Sequence, residues 1–134
     1  MKHKLDSESI KALSEYRIQR AFETLAEATT LMDNGYHNAA INRLYYACYY
    51  AVNSLLIKNK ITANTHSGVK QMFGLHFIVT KKISTDMGRF YNQLFNDRLS
   101  GDYDDFITFN EEILKEIYPK ADEFVRTISN LLKD

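Results

Sequence analysis

One arginine and four tyrosines crowd the stretch Asn42–Val52, NRLYYACYYAV. A guanidinium is a permanent cation whose planar fork of donors matches two phosphate oxygens. Phenol rings beside it offer faces for stacking and hydroxyls for hydrogen bonding. Arg43, Tyr46 and Tyr50 therefore read as groups suited to the phosphate and base of a nucleotide or RNA. Two further residues could join them. His66 follows Thr65, a good helix N-cap, so its imidazole and the free N–H groups of that first turn could meet a phosphate. Arg98 could add positive charge to the same cleft. Each has a plainer role available: His66 bonding a carbonyl or carboxylate to fix the loop, and Arg98 pairing with Asp102. Asp102 and Tyr103 read as structural, orienting the turn into the last helix.

Other chemistries lack their residues. His37 and His76 are not spaced as a helical metal pair, and one cysteine, Cys48, excludes a multi-cysteine site. No glycine-rich phosphate loop occurs, and no metal or cofactor is expected. Basic and acidic residues balance, 17 against 17, so a duplex-binding basic footprint is missing. No apolar run approaches the roughly 20 residues of a membrane span. The start, MKHKLDSES, has no apolar stretch behind its lysines, so no secretory signal is expected, and a cytoplasmic location follows as the default.

These side chains must be positioned by helices. The chain has 134 residues, the size of one domain, with one proline and few glycines. Apolar residues recur at helical spacing over five segments: about Ser7–Asn34, Tyr36–Lys58, His66–Thr80, Thr85–Leu99 and Asp104–Leu132. Asn34-Gly35 and Ser100-Gly101 read as helix stops, and Thr65 as a cap. Gly68 and Gly74 would permit close approach of another backbone. Pro119 should kink the last helix near Tyr118. No segment alternates as a strand does. The expectation is a single all-α domain over 1–134, an up-and-down bundle of four to five helices.

On a helical projection of the second segment, Ile41, Tyr45, Cys48, Val52, Leu55 and Leu56 fall on one side and face the core. Ala39, Arg43, Tyr46, Ala47, Tyr50 and Ser54 lie opposite, with no acidic residue among them, unlike an ordinary solvated face. Two arrangements fit. The bundle could wrap this helix on all sides, or the Arg43 face could form a homodimer interface. In a symmetric dimer two Arg43 side chains would approach one axis and favour an anion between them.

The stretches AAINRLYYACYYAVNSLL, THSGVKQMFGLHF and NDRLSGDYDDF together resemble the HEPN domain family, and more closely its small stand-alone prokaryotic proteins. The resemblance spans roughly Leu25 to Leu132. It implies an all-α bundle that dimerises through its second and third helices. It also implies work beside a nucleotidyltransferase-fold partner in toxin–antitoxin or defence systems. Active members are metal-independent ribonucleases marked by an arginine followed, after four to six residues, by a histidine. Arg43 matches that arginine, but six intervening residues lead to Tyr50, and no other arginine here is followed by a suitably spaced histidine. Histidine exchanges protons near neutrality; a phenol, with a pKa near 10, does so poorly. The expectation is a catalytically degenerate RNA- or nucleotide-binding module. Two alternatives stand beside it: a weakly active endoribonuclease, with Arg43 and His66 as its catalytic candidates, and a pure protein-interaction module.

Overall fold

The computed structural model describes residues 6–103 and 108–133. Five α-helices follow in order: α1 (Ser7–Asp33), α2 (His37–Lys58), α3 (His66–Phe73), α4 (Thr85–Tyr103) and α5 (Glu111–Leu131). No strand occurs among the described residues. The architecture is the expected up-and-down bundle, and no described helix is long and apolar enough to cross a membrane.

Local chemistry sets the helix ends. Asp6 caps α1, its carboxylate accepting from the Ser9 N–H at 2.7 Å. Gly35 ends the same helix with φ +77°, a left-handed conformation that costs glycine little. The Thr65 hydroxyl caps α3 by accepting from the Gly68 N–H at 2.9 Å. At Gly68 an added Cβ would lie 3.0 Å from the Thr65 hydroxyl, a tight contact, whereas Gly74 approaches nothing within 4 Å. The third segment departs from expectation after Phe73. Residues Gly74–Ile78 form a π-helical turn, closed by the Val79 N–H on the Gly74 carbonyl at 2.9 Å. It leaves Leu75 and Val79 exposed.

Two expected boundaries are corrected. Ser100-Gly101 does not stop the fourth helix, which runs to Tyr103. Gly101 is there for space, since a Cβ would lie 3.1 Å from the Phe109 ring. The fifth helix begins at Glu111, not near Asp104. Asn110 is extended and caps it through the Ile113 N–H at 2.9 Å. Asn38 fixes the preceding segment by accepting from the Phe109 N–H at 2.9 Å. Asp104 and Phe106, assigned to that helix from sequence, lie outside the described residues. Pro119 lies within α5, on its exposed side, and the helix continues to Leu131.

The central element is α2, which packs against α1, α3, α4 and α5, most extensively against α1. Its inward residues Ile41, Tyr45, Cys48, Val52, Leu55 and Leu56 are all buried, as the projection predicts. The α1–α2 joint is made of small residues. Ser14 and Ser54 clamp it: each hydroxyl donates to the other's carbonyl, at 3.0 and 2.6 Å. Counting away from that clamp in antiparallel register sets Ala21 opposite Ala47 and Ala28 opposite Ala40. All four alanines are 0 % exposed. Small side chains at every second turn let the two backbones approach closely.

This seam corrects the proposed dimer face. Ala47 and Ser54 do not look outward, because both are fully buried beneath α1 of the same chain. Ala39 is exposed, and Arg43, Tyr46 and Tyr50 are partly exposed. The bundle thus claims the small residues of that face and leaves its arginine and tyrosines at the rim.

Candidate functional site

The rim residues lie beside α3 and the end of α4. The Tyr46 ring is their common neighbour. The Arg43 guanidinium sits 4.9 Å from its centroid and that of Arg98 5.9 Å. The His66 ring approaches edge-on at 5.6 Å, and the Tyr50 ring lies 6.0 Å away. Arg43, Tyr46, Tyr50, His66 and Arg98, scattered over 56 positions of sequence, thus meet around one phenol.

Arg98 is the most constrained of them. Its residue exposure is 8 %, and its guanidinium also lies 4.8 Å from the Tyr45 ring. The pairing with Asp102 is loose, at 3.9 Å. That carboxylate also accepts from the Asn42 amide at 3.0 Å, tying α4 to α2 as a structural role requires. The Arg98 Nε is buried with no hydrogen-bond partner among the described residues. Aromatic faces stabilise such a cation but leave donors unused. The Tyr103 side chain lies outside the described residues.

His66 is held by Tyr45, read from sequence as a core residue, and by Tyr49. The Tyr45 hydroxyl is 2.8 Å from its Nδ1, and the Tyr49 ring stacks on it at 4.3 Å. Partial burial, then the nearby Arg98 charge, lower the His66 pKa. Burial raises that of Tyr45, so this phenol keeps its proton. With the hydroxyl as donor, Nδ1 accepts and the neutral ring carries its proton on Nε2, a donor suited to a phosphate oxygen.

A titration follows. His66 should protonate below the ordinary histidine value of about 6.5. The unfolded chain then takes up that proton first as pH falls. Stability from the neutral ring is present above about 6.5 and is lost as pH drops through the folded-state pKa. NMR of the imidazole C–H signals checks this; a midpoint above 6.5 in the free protein would contradict the geometry.

Arg43 has its own contacts. It donates to the Asn42 side-chain carbonyl at 3.0 and 3.2 Å and lies 3.5 Å from Glu27 on α1. A cavity of about 710 Å³ lies elsewhere. It is lined by Ile10, Ile18, Leu132 and several lysines where α1 begins and α2 and α5 end. Lys58 there is about 22 Å along α2 from Arg43, at 1.5 Å per residue. That cavity holds none of the arginine, histidine or aromatic groups, so volume and chemistry part company here.

The HEPN domain model matches residues 14–131. The chain belongs to the HEPN family. Among relatives, a UPF0332 protein of Thermotoga maritima is 38% identical over 120 residues, covering 90% of this chain and 91% of that protein. Two proteins of Methanocaldococcus jannaschii, each named "Putative toxin", are also similar. One is 34% identical, covering 95% of this chain and 91% of its own length. The other is 29% identical, covering 88% and 80%. Arg43 and Tyr50 are the positions that the resemblance read from sequence sets against the family's arginine and histidine. The Tyr50 ring instead lies beneath another arginine, Arg20 of α1, at 5.5 Å. Arg20, Asn42, Tyr45, Tyr49 and Glu27 were not singled out from sequence as site residues. Their place depends on α1 and α3 packing beside α2, which helical spacing does not reveal.

Proposed function

We propose that this HEPN chain is a toxin-like module that binds the phosphate of an RNA or nucleotide where Arg43, Tyr46, Tyr50, His66 and Arg98 converge, with little or no nuclease activity. The observation that carries this reading is Arg98, a buried cation that among the described residues has one loose carboxylate partner and an Nε without a hydrogen-bond partner. An incompletely compensated buried charge favours a bound anion. His66 and the first turn of α3 add donors beside it, and Arg43 adds charge across the Tyr46 ring. The name borne by the two archaeal relatives supports the toxin-like character. The family resemblance adds a nucleotidyltransferase-fold partner and a second copy of this chain. In that homodimer Ala39, Arg43, Tyr46 and Tyr50 form the shared surface.

Weak catalysis follows from residue type. The signature position holds a phenol, and losing a proton carrier costs roughly 10²–10⁴-fold. The hydrogen bond from Tyr45 to His66 favours a second reading, a residual ribonuclease with His66 as the replacement carrier.

The test is binding of labelled single-stranded RNA and of a mononucleotide, together with light scattering. Arg43→Ala should weaken binding about tenfold or more, since a charge-assisted hydrogen bond contributes roughly 1.5–3 kcal/mol. Equal affinity would overturn the site. A changed oligomeric state with no binding in either protein would point to an interaction module. Metal-free cleavage abolished by His66→Ala would establish the second reading, and a strict monomer would remove the shared surface.

A further inference from the structure

One carboxylate on α1 sits between two arginines. Glu27 lies 3.5 Å from Arg43 and 3.5 Å from Arg20. Arg20 is oriented separately by Glu23, at 2.8 Å. Each arginine also faces a phenol: Arg20 at 5.5 Å from Tyr50, Arg43 at 4.9 Å from Tyr46. The two phenol centroids are 6.0 Å apart, one turn along α2 and comparable to the step between successive phosphates of an extended strand. Side-chain exposures of 27% for Arg20, 28% for Arg43 and 44% for Glu27 leave all three reachable from solvent.

Resting on the phosphate-binding reading above, we infer that Arg20 and Arg43 form a second phosphate subsite, which the Glu27 carboxylate fills until an RNA strand displaces it. A carboxylate and a phosphodiester each offer oxygens to a guanidinium fork, so Glu27 is a built-in competitor. Its contacts are long and partly exposed. Such pairs contribute little, which makes the exchange inexpensive. The paired arginine–phenol units suit a single strand, where cations follow the backbone and rings accept bases. A duplex would need a broader basic surface than this balanced chain carries. The subsite extends the cleft from Arg98 through Arg43 to Arg20, so an oligonucleotide reaches Arg20 and a mononucleotide held by Arg98, His66 and Arg43 does not.

The experiment measures the full-length protein with a short fluorescein-labelled oligouridylate and with uridine monophosphate. Glu27→Gln should tighten oligouridylate binding several-fold, and Arg20→Ala should weaken it several-fold. Arg20→Ala should leave monophosphate affinity unchanged. Asp86→Asn, the same charge change at the far end of α4, should leave both affinities unaltered and separates subsite release from a general gain in positive charge. Combining Arg20→Ala with Glu27→Gln should cancel most of the gain. The inference is overturned if Glu27→Gln binds no tighter than wild type, or no tighter than Asp86→Asn, while Arg43→Ala still weakens binding. Loss of every difference, Arg43→Ala included, would overturn the phosphate site itself. Thermal melting of each variant reports folding, which these exposed positions should leave intact.

Discussion

Replacing Ala47 by leucine should destabilise the chain by about 3 kcal/mol, the upper part of the usual range for overpacking a closed site. Ala47 is 0 % exposed, and the register fixed by the Ser14–Ser54 clamp puts it against Ala21, also 0 % exposed. No side chain in that seam can swing aside. The added isobutyl group must push α1 and α2 apart, and the reciprocal hydroxyl–carbonyl bonds at 3.0 and 2.6 Å would stretch with them. Two buried hydroxyls and two carbonyls would then lose their partners. Ala12→Leu is the control, exposed on α1 and outside the seam and the proposed shared surface, with a change expected within about 0.5 kcal/mol. Urea denaturation of the three proteins decides the matter. Similar midpoints for the two leucine variants would show that the seam is not closed as described. A midpoint that depends on protein concentration in Ala47→Leu alone would return this residue to an interface between copies.

The second large effect is expected at Arg98. Arg98→Ala should destabilise the fold by about 2 kcal/mol, combining cation–π contacts to the Tyr45, Tyr46 and Phe95 rings with packing of the buried stem. Phosphate binding should fall at least about tenfold, because the least solvated donor of the cleft is gone. Arg98→Met separates these roles: it retains much of the apolar stem and should recover part of the stability, but none of the binding. A third reading is independent of ligand. The Arg98 charge is one cause of the depressed His66 pKa, after burial. Removing it should move the His66 titration upward toward about 6.5 without reaching it, since burial remains. An unmoved midpoint in a folded Arg98→Met protein would mean that the two side chains are not electrostatic neighbours.

The helical class, the start of α1, the Asn34-Gly35 stop and the Thr65 cap were legible because they depend on residues within a turn or two of one another. The inward face of α2 was legible for the same reason: period 3.6 shows which residues share a side. The Arg43, Tyr46 and Tyr50 row was visible as well, and the family pattern drew attention to Tyr50 in place of histidine. Sequence distance hid the rest. The Asn38 bond to the Phe109 backbone spans 71 positions, and with it the late start of α5. Gly101 looked like a helix stop because nothing local reveals the Phe109 ring lying against it.

Ala47 and Ser54 show the division most clearly. A helical projection says that they share a side with Arg43, and their size says that something packs closely there. It does not say what. An α-helix of the same chain and one from a second copy present equivalent surfaces to an alanine, and only the pairing of α1 with α2 chose between them. The amino-acid sequence by itself determined the helices and the sides they turn to one another, through local hydrogen bonding and periodicity. Tertiary structure decided which sides met, and so brought His66, Arg98 and Glu27 to the arginine-tyrosine row, because contacts between distant segments depend on packing that no local period encodes.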